Sequence, residues 1–289
     1  MYDANCVISG TQLNLSEIAT NIEERAEGYW QARSISRISY PDYGNEACFA
    51  VEDTSFWFRH RNNCILQILQ SYPPSGTFFD IGGGNGFVAH AVEKLGIDVV
   101  LVEPGPAGAR NARKRGVRRV LEGTLDDAGF LPGTVPAAGL FDVIEHIQDD
   151  GQFLCKLHML LRPNGRVYIT VPAFQALWSH EDIEAGHWRR YTKGALCRVL
   201  RSCGFQMEFC SYIFGFLPPA IFLLRVLPFR LGLQHKAHIN STRAQHELQN
   251  GMLNRLISIL SRRELSMLAR GRQRVLGGSC LAVARKIAR

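Results

Sequence analysis

The chain has 289 residues, of which 46% are hydrophobic and 20% charged, which allows one large α/β domain with additions and excludes a disordered chain. A net charge of +7 and a pI near 9.1 favour anions or anionic surfaces without naming one. Eight scattered cysteines with no Cys-x-x-Cys pair argue against a zinc ribbon and against a disulfide framework.

The first fifty residues are the least regular. They open Met1-Tyr2-Asp3-Ala4-Asn5, with neither the basic start nor the apolar core of a signal peptide, so reduced cytoplasmic thiols are expected. In Cys6-Val7-Ile8-Ser9-Gly10 a serine stands where a metal-binding pair needs its second cysteine. Ser16-Glu17-Ile18-Ala19 reads as the start of a helix running to Ala26, and Ser39 to Asn45 as a turn. Asp53 or Ser55 caps a helix to about Ser71 whose core stripe is Ile65, Leu66, Ile68 and Leu69. At its start Phe56 and Phe58 fit packing on a sheet, while Trp57, Arg59 and Arg61 fit the border of a cleft; both readings stay open.

Phe78 to Ile81 reads as the end of a buried strand, Gly82-Gly83-Gly84-Asn85-Gly86 as a turn, and Phe87 to Val92 as a helix. Strand, glycine turn and helix start bring bare backbone N–H groups to a ligand. The dinucleotide fingerprint Gly-x-Gly-x-x-Gly does not fit, because Phe87 holds the third glycine position. Asp-x-Gly-x-Gly-x-Gly does, from Asp80 to Gly86. A second buried strand, Ile97 to Val102, ends at Glu103-Pro104-Gly105, where a carboxylate can accept both hydrogen bonds of a ribose diol.

The helix from Ala107 to Arg115 carries Arg110, Arg113, Lys114 and Arg115, followed by Arg118 and Arg119, and reads as a solvated basic face. Val120 to Glu122 is a short third strand, and Ala137 to Phe141 a fourth that runs into Asp142-Val143-Ile144-Glu145-His146. An amphipathic helix spans Gln148 to Leu161, Arg162-Pro163-Asn164-Gly165 breaks it, and Arg166 to Pro172 is the fifth strand. The loop Ala173 to Tyr191 holds Trp178, His180, Asp182, His187, Trp188 and Arg190, in the place where loops carry substrate contacts. Thr192 caps a helix to Ser202, and Phe205 to Phe214 is the sixth strand. Ile213 to Phe229 is apolar, but three prolines and Arg225 speak against a membrane span, leaving a lid or an interfacial membrane segment. Residues 234–250 are polar and read as mobile. A basic region with a helix carrying Leu256, Ile257 and Leu260 leads to a last strand, Ser279 to Ala284.

Asp80 to Gly86, Glu103, Asp142 to His146 and the helix–Leu-x-Pro-x-Gly–strand passage together resemble class I S-adenosylmethionine-dependent methyltransferases of the bacterial small-molecule type. The resemblance implies an α/β, Rossmann-like, seven-stranded and mostly parallel sheet with helices on both faces and an antiparallel last strand. It implies a methyltransferase domain over 73–289, with 211–274 as a helical lid-like insertion, preceded by an extension over 1–72 that flanks the cleft. S-adenosylmethionine would meet Asp80, Gly82, Gly84, Asn85, Glu103, Pro104, Leu125, Phe141 and Asp142. Thr124 stands where the family has an acid, so adenine recognition passes to the Leu125 backbone or to Asp126. His146, His187 and Tyr191 are the candidate catalytic residues, with His180 a further candidate base, and no metal is expected, because His180 and His187 share one loop without ligand spacing.

The implied activity is methyl transfer by in-line displacement to a small-molecule or lipid- or sugar-linked acceptor. The alternative is a non-catalytic binding protein or membrane-surface adaptor on the same fold. Nucleic acid is not expected as partner, since Asp-Val-Ile-Glu-His stands where amino-directed nucleic-acid enzymes carry Asn/Asp-Pro-Pro-Tyr. The expected place is the cytoplasm, with peripheral membrane contact left open, as is the oligomeric state.

Overall fold

The computed structural model describes residues 13–34, 42–232 and 251–288. The expectations for Cys6–Gly10, Ser39–Pro41 and 234–250 lie outside them. Nine strands form one sheet: β1 (Ile22–Ala26), β2 (Tyr29–Ala32), β3 (Phe78–Ile81), β4 (Val99–Glu103), β5 (Val120–Glu122), β6 (Val135–Phe141), β7 (Leu161–Pro172), β8 (Phe205–Ile213) and β9 (Ser279–Lys286). Their order is β1-β2-β5-β4-β3-β6-β7-β9-β8. The sheet reverses direction of growth between β3 and β6, which pair in parallel from Phe78↔Ala137 to Ile81↔Leu140. The carboxyl ends flanking such a switch point are where open α/β sheets bind ligands. Antiparallel β9 lies between β7 and β8, with Thr170 opposite Leu281 and Ile213 opposite Ser279.

The seven expected strands are all present, and a hairpin of β1 and β2 makes nine. β2 joins β5 in parallel through Tyr29↔Val120. This corrects the helix expected over Ser16 to Ala26. The helix α1 is one turn, Leu15–Ile18, capped by the Asn14 side chain, and the charged run Ile22–Ala26 is an edge strand exposed at four of its five positions. Likewise Asp42–Phe49, expected to begin in a turn, is helix α2.

The β3 and β4 strands are buried at every position, as continuous apolar runs covered on both faces should be. Alternate side chains divide between two cores. Phe79, Val100, Val102 and Leu121 face one, completed by Leu154, Leu157 and Leu160 of α7 (Asp150–Leu160) and by Leu196 and Leu200 of α9 (Lys193–Ser202). Phe78, Val99, Leu101 and Val120 face the other, with Ile65, Ile68 and Leu69 of α3 (Phe56–Ser71), α4 (Phe87–Glu93) and α5 (Pro106–Arg115). Burying each such aliphatic side chain is worth about 1.5–3 kcal/mol. Residues 58 and 60 of α3 face different partners: Arg61 lies over the Phe58 ring, whereas His60 is buried.

A buried polar knot fastens α3 to the long helix Met252–Ala269. Glu264, fully buried, accepts from His60 Nε2 at 2.8 Å, Phe214 N at 2.7 Å and Gly215 N at 3.0 Å. Burial works against ionisation there, but the hydrogen bonds from His60 and the two backbone amides hold the carboxyl below its ordinary value. A depressed carboxyl adds stability above the unfolded-state value, about 4.3, and the contribution is lost as pH falls through the folded one. Glu264→Ala leaves two N–H groups unpartnered and the buried His60 imidazole to the weak Cys64 thiol beside it, and we expect it to cost about 3 kcal/mol or more in urea unfolding.

Cys155 and Cys203 are bonded across a sequence separation of 48, joining α7 to the end of α9. This corrects the expectation that the thiols are all reduced. The pair is invisible to spacing motifs because two helices on one face bring it together. Cys64, Cys210 and Cys280 are free and buried.

Candidate active site

Four glycines make the turn after β3, and they serve different ends. At Gly86 (φ +74°) an added Cβ would lie 2.7 Å from Val117 Cγ2 and 2.9 Å from the Ala112 Cβ, so this glycine lets α5 pack against the turn. At Gly84 (φ +53°) the nearest atom to such a Cβ is Asn45 Oδ1 at 3.6 Å, so Gly84 faces space. Beneath the turn Asp80 is wholly buried, and among the described residues no side chain hydrogen-bonds either carboxylate oxygen; the Ala89 amide favours its charge from the backbone. Burial pushes its carboxyl up to about 7 against the pull of the Arg61 charge.

At the end of β4, Glu103 accepts from Gly84 N at 2.8 Å and Gly105 N at 2.7 Å, and the Asn45 side chain donates to it as well. Burial raises this carboxyl to about 7, opposed by those same hydrogen bonds. Glu103 thus ties the glycine turn to the start of α5, with Asn45 of α2 closed over it. Pro104 is half-buried beside it. Asn85 is buried with its side chain turned away from the turn's open side: Nδ2 donates to Asn45 O at 2.7 Å and Glu52 Oε1 at 3.2 Å, and Oδ1 accepts from Asn111. Arg115 completes this lock, reaching Asn85 O, Glu52 and Asp53. The solvated basic face expected here holds at the exposed Arg110, Arg113, Lys114 and Arg118 and is corrected at two positions. Arg115 and Arg119 are buried pairs, the latter with Asp98 at 2.7 Å, while Arg110 and Lys114 are exposed.

After β5, Thr124 caps helix α6 (Leu125–Ala128) in a reciprocal box with Asp127. Leu125 is buried, and Asp126 pairs with Lys156. Tyr29 and Gln31 of β2 both donate to Glu122.

The switch point continues at the end of β6. Phe141 stacks near Phe78, and Asp142 stands at φ +58°, where side chains are strained. It accepts from Thr170 Oγ1 at 3.0 Å and from Arg61, which settles which of the α3 arginines reaches the cleft. Trp57 instead stacks on Phe214, ring centroids 3.9 Å apart, and Arg59 is exposed. Glu145 is fully buried with both oxygens unpartnered, and burial next to Asp142 drives its carboxyl well above the ordinary range. His146 meets His187 edge to face at 4.7 Å. Burial, helped by His187, lowers His146 to about 4, so it is neutral at pH 7.

The loop after β7 includes a short helix α8 (His180–Glu184). Within it Asp182 accepts from His187 Nδ1 at 2.8 Å and from Arg190 at 2.7 and 2.8 Å. Burial opposes its ionisation, yet the bonds from His187 and Arg190 hold Asp182 at about 2. With Nδ1–H committed to Asp182, the His187 ring presents Nε2 as an acceptor. His180 is exposed and pairs with Glu184 at 3.3 Å. Tyr191 is corrected as a candidate base. It is buried, its hydroxyl donates to Asp150 Oδ2 at 2.6 Å, and burial pushes the phenol far above its ordinary value.

Two groups among the described residues bring metal-ligand types within 4.8 Å of one another: Glu145, His146 and His187, and His60, Cys64 and Glu264. In the second, Glu264 is already taken up by His60 and two backbone amides. The first has donors suited to a divalent cation, including a histidine oriented by a carboxylate.

A family profile described as a methyltransferase domain matches residues 58–208, just over half of the chain. The chain belongs to the class I S-adenosylmethionine-dependent methyltransferase family. It is 24% identical over 171 residues to a Mycolicibacterium smegmatis protein named a probable S-adenosylmethionine-dependent methyltransferase, covering 58% of this chain and 66% of that one. It is 30% identical over 98 residues to the mitochondrial ubiquinone biosynthesis O-methyltransferase of Schizosaccharomyces pombe, covering 32% and 36%. The chain therefore spans two thirds or less of these curated relatives. Among solved structures, phosphoethanolamine N-methyltransferase 2 of Haemonchus contortus with S-adenosyl-L-methionine shares the fold at a TM-score of 0.53 and 19% identity, over 87% of this chain and 59% of that one.

The family's cofactor fits what the turn offers. A buried carboxylate at Asp80, without a side-chain partner among the described residues, suits a cationic amino group, and Gly84 leaves room where a side chain would stand. The raised carboxyls also have a consequence for the free protein. Folded Asp80 and Glu103 hold protons that the unfolded chain releases from about pH 4 upward, so their contribution to stability falls as pH rises from there to about 7. We expect Asp80→Asn to flatten this part of the thermal stability profile between pH 5 and 7.5, roughly the window of the shift; an unchanged slope would contradict it.

Proposed function

We propose that the chain transfers the methyl group of S-adenosylmethionine to a small, apolar or lipid-linked acceptor bound between the end of β6 and the Ala173–Tyr191 loop. The observation that carries this is the buried Asp80 carboxylate, without a side-chain partner among the described residues, under a turn open at Gly84 and one strand from the Glu145–His146–His187 group. In this reading Asp80, Gly82, Gly84 and Glu103 hold the cofactor, Pro104, Leu125, Phe141 and Asp142 border it, and Asn85 holds the turn's shape. The cofactor brings a methyl carbon already activated by its sulfonium. The chain supplies binding, alignment and exclusion of water, and positioning of this kind accounts for a large part of a rate enhancement.

His187 takes the acceptor's proton at Nε2. Asp182, held ionised, orients the ring and stabilises the imidazolium that results. His146, neutral, packs against that ring. Residues 73–289 act as the transferase domain, the described part of 1–72 flanks its cofactor side, and the described part of the insertion between β8 and β9 covers the acceptor side. That cover packs Ile221 and Val226 on Leu177, with Phe174 and Leu217 beside them, which supports an apolar acceptor. Relatives named for O-methylation in ubiquinone biosynthesis support an oxygen nucleophile on a small molecule.

Calorimetric titration with S-adenosylmethionine tests the first half. Failure to bind at about millimolar ligand, a weak affinity by any standard, would sink the reading. Labelled cofactor incubated with a lipid extract and with a water-soluble extract tests the second; label confined to the water-soluble fraction would rule out a lipid-linked acceptor.

A further inference from the structure

The cover between β8 and β9 has two faces. It runs as a helical turn Pro218–Ile221, a π turn Phe222–Val226 and a helical turn Leu227–Arg230. Its inner face buries Ile221 and Val226, and it is pinned to the acceptor loop by Arg225 to Glu181 at 3.4 Å and Arg230 to Ala176 O at 3.3 Å. Its outer face leaves Leu223, Leu224, Leu227 and Leu231 in water, Leu224 at 73% exposure. Positions 223, 227 and 231 recur at helical spacing and so form one stripe. The exposed pair Val275-Leu276, with Val275 87% exposed, shortly precedes Gly278, whose N donates to Phe214 O and where an added Cβ would lie 3.4 Å from Ile221, so the pair adjoins the cover.

Glu181 of the acceptor loop pairs with Arg225, but the charge the cover itself carries has one sign. No Asp or Glu occurs from Phe209 to His246. Arg270 and Arg272, both exposed, shortly precede Val275 and Leu276 in the chain, and the single acid of the long helix, Glu264, is buried and paired. Exposed apolar side chains and arginines close together in the chain suit one environment, the headgroup boundary of an anionic bilayer. There leucines enter the acyl region and guanidinium groups meet phosphates. No helix among the described residues is long and apolar enough to cross a membrane, so contact is from one side.

We propose that the stripe Leu223–Leu224–Leu227–Leu231, with the Val275-Leu276 pair and the preceding Arg270 and Arg272, docks the protein on an anionic membrane surface. The acceptor loop would then open toward the lipid. The docking stands on this surface alone; only its purpose rests on the methyl-transfer reading above.

Flotation with vesicles of phosphatidylglycerol and phosphatidylcholine, against pure phosphatidylcholine, tests it. The wild type should float with the anionic vesicles and be released by salt. Leu223→Ser with Leu224→Ser should weaken binding about 10-fold or more, and Arg270→Glu with Arg272→Glu about 10-fold. Both double variants should keep wild-type affinity for S-adenosylmethionine, which reports that they are folded. Absence of flotation, equal binding to neutral vesicles, or undiminished binding by the leucine variant overturns the proposal. So does light scattering that shows a dimer abolished by the same leucine changes, which would make a second copy the occupant. Loss of cofactor binding with flotation intact would instead remove the transferase reading and leave the docking standing.

Discussion

Gly84→Val should lower affinity for S-adenosylmethionine by about 100-fold or more, roughly 3 kcal/mol, while the protein stays folded. Two effects combine. The backbone at Gly84 has φ +53°, a region a β-branched residue adopts only under strain of about 1–3 kcal/mol. The added methyl groups would also project into the space that the glycine leaves open beside Asn45. Since the described residues offer no contact there nearer than Asn45 Oδ1 at 3.6 Å, the loss should fall on the ligand more than on the fold. Gly86→Val makes the converse control: its side chain runs into Val117 and Ala112, so stability should fall first. Calorimetry and thermal melts on both variants separate the two, and wild-type affinity in Gly84→Val would refute the placement of the cofactor.

The second large effect is expected at His187. His187→Ala should reduce turnover by about 10²–10⁴-fold, the usual worth of a positioned base, and leave cofactor affinity within about 3-fold, under 1 kcal/mol. The loop should survive the change, since Asp182 keeps Arg190 and the Ser179 amide as partners. Asp182→Asn should also cost turnover, because the amide no longer fixes the imidazole tautomer. Single-turnover kinetics beside cofactor titration gives the comparison. Parallel losses of rate and affinity, or none in either, would place His187 outside acceptor chemistry.

The central strands were legible because each is a continuous apolar run punctuated by glycine or proline, and both features come from being buried on two faces. The β1 strand was not legible. Ile22-Glu23-Glu24-Arg25-Ala26 has the charge of a solvated helix, and only pairing with β2 at the sheet's edge makes it extended. The role of Arg115 was hidden for a related reason. A helix shows its basic face in sequence, but not that Glu52 and Asp53, far upstream, will fold over it. At the site, the glycine turn, Glu103 and the Asp142–His146 run stood out through spacing along one strand end. The meeting of Glu145 and His146 with His187, and the capture of Tyr191 by Asp150, depend on how the loop after β7 doubles back, which no local pattern encodes. Glu145 showed only as one letter of a motif, although its buried, unpartnered carboxylate is among the most unusual groups in the chain.

The pairing of Ile213 with Ser279 means that the cover leaves the sheet and returns to it at adjoining points. Its length and composition can therefore change without moving any cofactor-side strand, because lengthening a loop with fixed ends costs little, about 0.6 kcal/mol per doubling. The molecule is in this sense divided for inheritance. A lineage could exchange the stretch from Phe214 to Gly278 for another that still partners His60 and still fills the core as Phe214 and Leu268 do, acquiring a new acceptor or a new surface to sit on while keeping the methyl-donor half. Transplanting that stretch between relatives is the corresponding route for engineering, with the two anchoring strands as its natural seams.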